Sequence, residues 1–112
     1  MNAASHAQIV FCTCPADGTA TRLAKLLVES RLAACVNILP KVTSVYRWQR
    51  EIVDDEESLL VIKTLKNQFE ALERAIVAAH PYELPEIVAV PIEQGLAPYL
   101  GWLETEIAPL EQ

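Results

Sequence analysis

The chain has no cluster of lysine or arginine. Its 9 basic residues are scattered among 112 positions and outnumbered by 15 acidic ones, for a formal charge of −6. Nucleic acids and anionic lipid surfaces are bound by concentrated positive charge, so this balance argues against either as a partner. No apolar run approaches the ~20 residues that a membrane-spanning helix needs. Cysteine is scarce and odd in number, and Cys12, Cys14 and Cys35 cannot complete a disulfide framework. The opening "MNAASHAQIVF" lacks the charged and then apolar pattern of a secretory leader. Unpaired thiols without a leader predict a reduced, cytoplasmic protein. Nucleophile elbow, phosphate-cradling glycine loop and paired catalytic carboxylates are all missing, so the chain is not expected to be an enzyme.

What is present is apolar and periodic. The sequence is 52% hydrophobic, enough for a packed core, and its length suits a single domain spanning residues 1–112. Residues 1–7 are small and polar and are expected to be disordered. "QIVFCTC" (8–14) has the β-branched, apolar character of a central strand. "PADGTA" then punctuates a turn, and a helix is predicted from Thr19 to Arg31 with Leu23, Leu26, Leu27 and Ser30 on its buried face. "AACVNIL" (33–39) and "VTSVYRW" (42–48) are β-formers interrupted by Pro40, which marks a bulge, a bend or an edge. "QRE" turns the chain, and "IVDDEESLLVIKT" (52–64) returns.

These two arms form one long hairpin. Thirteen residues at ~3.3 Å each span roughly 43 Å, whereas a compact domain of this length is about 34 Å across. The ribbon outruns its own domain, so it bends sharply or projects into a partner, and projection also protects its long edges. "LKNQFEALERAIVAAH" (65–80) reads as the second helix, with Leu65, Phe69, Leu72, Ile76 and Ala79 on one face. "EIVAVPI" (86–92) is a fourth strand, and "LAPYLGWLETEI" (96–107) a short closing helix. The order β-α-β-β-α-β predicts an α+β, ferredoxin-like sandwich with a four-stranded antiparallel sheet and an added C-terminal helix.

"AAHPYELPEI" (78–87) has two readings. Pro81 biases His80 away from helical geometry, and a histidine suits the negative end of a helix, so the stretch can be a helix stop alone. It can also edge a metal site, because imidazole and thiolate are the ligands that hold copper and zinc. Cys12 and Cys14 alternate along a strand and so point to the same face. A lone C-x-C is nevertheless more often buried apolar filler than a ligand pair. Glu83 and Glu86 could add carboxylate oxygens. "VDDEES" (53–58) lacks the spacing of a calcium loop and is expected to be a solvated part of the hairpin.

"CTCPADGTATRLAKLLVESRLAACVNILPKVTSVYRWQ", "VIKT", "HPYELPEIVAVPI" and "YLGWL", in this order and spacing, resemble the CutA family, the divalent-cation tolerance proteins. The resemblance covers Ile9 to Leu103. It implies a homotrimer whose long hairpins join sheets between subunits, and binding of copper or other divalent metal ions. It also implies a kinship of shape with trimeric PII signalling proteins, so the alternative function is a signalling or scaffold trimer holding a small molecule or protein partner in its inter-subunit clefts. The copper site of the enteric form draws on a cysteine matching Cys12 and two consecutive histidines before the proline. This chain keeps Cys12 and His80 but has Ala79 in place of the first histidine, and Cys14 could compensate. A second departure is Arg50, where family members often carry glycine. Because arginine resists positive φ, a longer or different turn is expected at 49–51.

Overall fold

The computed structural model describes residues 6–107. In chain order they form β1 (Ala7–Pro15), α1 (Thr19–Glu29), β2 (Cys35–Trp48), β3 (Glu51–Leu65), α2 (Phe69–Ala79), β4 (Val88–Pro91) and α3 (Ala97–Glu106), with one 3₁₀ turn (Lys66–Gln68) before α2. The sheet is four-stranded and antiparallel in the order β2-β3-β1-β4. That is the α+β ferredoxin-like arrangement which the element order predicts. Of the segment 1–7 expected to be disordered, residues 1–5 lie outside the described residues. His6 accepts the Lys66 amide through its carbonyl, and Ala7 pairs with Leu65.

Strand alternation divides the side chains between two layers. Val10, Cys12, Cys14, Leu60 and Ile62 point to one face, where Leu23 and Leu27 of α1 and Leu72 and Ile76 of α2 close over them. This is the main core. Positions of opposite parity, Ala7 and Leu65, meet Leu100 and Leu103 of α3, so the last helix covers one end of the other face. Among the described residues no helix covers the rest of that face, and Leu39, Val88 and Val90 are exposed there.

The first helix differs from the expected one in which face it buries. Thr19, Ala20, Leu23, Ala24 and Leu27 are buried, while Leu26 is 40% exposed. At 100° per residue, Leu26 sits roughly 90° from the centre of that stripe. The small residues Ala20 and Ala24 let α1 approach the sheet, and a face chosen from leucines alone overlooks them. Ser30 ends the helix and its hydroxyl donates to the Leu26 carbonyl at 2.7 Å. In α2, Leu72 and Ile76 are buried as expected, but Leu65 belongs to β3 and Ala79 is exposed. The fourth strand is shorter than 86–92 because only Val88–Pro91 runs beside β1.

The ribbon is long and projects. The molecule measures 47 × 28 × 21 Å with a radius of gyration of 14.8 Å, against about 13 Å for a compact chain of this length. Pro40 lies in a bulge between Leu39 and Val42 on the outer strand β2, with Lys41 at φ 63°. The tip contradicts the expectation of a longer or different turn, one in which Arg50 avoids positive φ. Trp48 pairs with Glu51, and the two intervening residues, Gln49 (φ 50°) and Arg50 (φ 72°), both take positive φ. That is the signature of a type I′ turn, whose twist matches the flanking strands. The twist of the ladder therefore overrides the reluctance of arginine.

Candidate metal centre

Three residues from two elements meet at the end of the main core. Cys12 and Cys14 lie two apart on β1 and are fully buried beneath the helices. His80 caps α2 with φ −83° and ψ 138°, the extended conformation that the following proline favours, and its amide still donates to the Ile76 carbonyl at 2.8 Å. The helix stop thus delivers the imidazole to β1. One ligand atom from each of Cys12, Cys14 and His80 lies within 4.8 Å of the other two, and all three residues are buried. The structural and the site-forming readings of "AAHPYELPEI" meet in the same residue.

Both ring nitrogens of His80 are engaged. Nε2 lies 2.8 Å from the Thr13 carbonyl, and Nδ1 accepts the Tyr82 amide at 3.1 Å. A carbonyl can only accept and an amide N–H can only donate, so the partners assign the tautomer protonated at Nε2. The Tyr82 ring packs on the imidazole with centroids 4.7 Å apart. The Tyr82 hydroxyl donates to Glu57 Oε2 at 2.6 Å. The two thiols also act on each other. The hydrogen bond that Cys12 gives Cys14 holds the Cys12 proton and pushes its pKa up, with burial adding to the effect. The same bond pulls Cys14 below its ordinary value, although burial opposes this.

Two sulfurs and an imidazole make a donor set suited to copper or zinc. Bonds of about 2.3 Å to sulfur and about 2.0 Å to nitrogen set ligand atoms roughly 3.5–3.8 Å apart around a tetrahedral ion. The side chains therefore need to close by about 1.3 Å at most, and His80 must give up at least one of its two hydrogen bonds. Within those limits, the residues fit such an ion.

The other sequence candidates lie elsewhere. Glu83 and Glu86 fall outside the Cys12–Cys14–His80 group and line a cleft of about 720 Å³ between the ribbon and the 82–86 segment, together with Thr13, Trp48, Asp55 and Tyr82. Glu86 reaches Cys12 only as a nearby negative charge that helps raise its pKa. Cys35 is half-buried on β2, and His6 is exposed. Sequence reasoning missed Glu57. The expectation of a solvated "VDDEES" fails there, because Glu57 is 5% exposed and bonded to Tyr82. Strand parity carried the signal: Asp55 and Glu57 share a face with Ser44, whereas Asp54 and Glu56 face the other way.

The model of the family described as CutA1 divalent ion tolerance protein matches residues 8–106. The chain is 52% identical over 96 residues to the divalent-cation tolerance protein CutA of Thermus thermophilus, covering 86% of this chain and 93% of that one. It is 46% identical over 93 residues to protein CutA of Mus musculus, where the match covers 83% of this chain but 52% of the mouse protein. The crystal structure of CutA1 from Oryza sativa superposes with a TM-score of 0.91 at 37% identity, covering 96% of this chain and 98% of the rice chain. The extent of these matches in sequence and in shape shows that the chain belongs to the CutA1 divalent ion tolerance family.

Proposed function

We propose that this protein is a homotrimer that binds copper or another divalent metal ion through Cys12, Cys14 and His80, in the service of cation tolerance. The observation that carries the metal reading is the convergence of two thiols and an imidazole within 4.8 Å. Cys14 takes the place in the ligand set that Ala79 leaves empty. Support for assembly comes from the sheet. Among the described residues its outer strands β2 and β4 each have one unpaired edge, and the ribbon exposes Val45 (68%) and Ile52 (63%). Joining one kind of edge to the other is a heterologous contact, which closes into a ring when the rotation allows. Three free thiols suit a reducing compartment, the cytoplasm in this reading. Among the described residues no helix is long and apolar enough to cross a membrane.

Calorimetry tests the site. Copper affinity drops in Cys12→Ser and in His80→Ala while assembly persists. The double variant loses little more than the worse single one, because members of one site are not additive. Unchanged affinity in both single variants would return the stretch to a purely structural role.

The cleft favours a second reading, a PII-like signalling or scaffold trimer. Its volume of about 720 Å³ falls in the range of small-molecule sites. Thermal-shift screening separates the two, since metals raise the melting temperature under the first and metabolites or nucleotides under the second.

A further inference from the structure

We propose that the metal centre controls the cleft: ligation of His80 releases Tyr82, and the 82–86 wall of the cleft moves. This inference rests on the metal reading above and deepens it.

A single imidazole ring links the two sites through its hydrogen bonds. Nδ1 of His80 accepts the Tyr82 amide, and Nε2 donates to the Thr13 carbonyl. If Nδ1 becomes the ligand, its lone pair is used and the Tyr82 amide loses its acceptor directly. If Nε2 becomes the ligand, it must lose its proton. A neutral imidazole carries one proton, so that proton then sits on Nδ1 and faces the Tyr82 N–H, donor against donor. Whichever nitrogen is used, the bond from the Tyr82 amide to His80 is lost.

Tyr82 is the hinge between the two sites. Its ring lies on His80, its hydroxyl holds Glu57, and its side chain forms part of the cleft wall with Glu83, Leu84 and Glu86. A half-buried amide stripped of its acceptor is costly, so the segment shifts until the amide finds another partner. The Tyr82–Glu57 bond opposes that shift and acts as a latch. Coupling of this kind is reciprocal, so a molecule that holds the cleft in its latched shape weakens metal binding.

The test combines calorimetry with amide hydrogen exchange on the wild-type assembly, using zinc as a redox-silent probe. Zinc binding accompanied by faster exchange in a peptide spanning residues 80–87 supports the coupling. Zinc binding with unchanged exchange there overturns the coupling and leaves the metal reading standing, whereas absence of zinc and copper binding overturns both. Tyr82→Phe keeps the ring on His80 and removes only the latch to Glu57. It should raise zinc affinity roughly two- to tenfold, the equivalent of one net hydrogen bond. An affinity that stays the same or falls in Tyr82→Phe would overturn the proposal.

Discussion

The position of His80 is set by covalent chemistry and its partners by the tertiary fold. Pro81 was sufficient to end the helix at His80, and that much was readable from two adjacent letters. The Thr13 carbonyl and the Tyr82 amide were not, because they depend on how α2 docks on β1. Glu57 was hidden for a related reason. An acidic run looks solvated until the pairing register decides which of its members turns inward. Asp17 shows a residue-scale effect that can be measured. Its carboxylate accepts both the amide (3.1 Å) and the hydroxyl (2.7 Å) of Thr19 at the start of α1, in front of Gly18 at φ 94°. Those two bonds hold its pKa below the usual carboxylate value. A depressed folded-state pKa means stability that is present above the unfolded value near 3.8 and lost as pH falls through the folded one. Asp17→Asn should therefore melt below the wild type at neutral pH, and the gap should narrow under acid. A gap that stays constant down to the lowest pH at which the protein folds would remove the carboxylate from this role.

The elements followed from periodicity, while their faces and turns needed context. Each strand and helix was legible in outline from alternation or from a 3.6-residue rhythm. The buried face of α1 was misplaced because Ala20 and Ala24 give a weaker signal than Leu26 in sequence, yet allow closer packing. At the hairpin tip, local preference and ladder geometry disagree, and the ladder wins. Positive φ costs a residue with a side chain about 1–2 kcal/mol, a strain that the paired strands on either side of Gln49 and Arg50 outweigh. Relieving it is a direct check. Arg50→Gly should raise stability by up to about 1 kcal/mol, because glycine takes that conformation freely but is also freer when unfolded. Chemical denaturation at fixed protein concentration measures this, and a destabilised variant would mean that the Arg50 side chain makes a contact worth more than the strain.

At the scale of the molecule, the projecting ribbon joins the argument about metal to the argument about assembly. A ribbon longer than its domain was inferred from residue count alone, and the 47 Å long axis agrees with it. What the ribbon meets was not legible, since a partner's edge is not written in one chain's pattern. If the ribbon lies between subunits, charges placed at its aromatic positions Tyr46 and Trp48 weaken assembly without touching Cys12, Cys14 or His80. Native mass spectrometry of the untagged protein, purified without chelator and supplied with copper, examines assembly and site together. The expected species has three chains of 12.4 kDa with one metal ion per chain, and the Cys12→Ser variant keeps the three-chain mass but loses the metal. A wild-type protein at micromolar concentration that appears as a metal-free single chain would contradict that expectation.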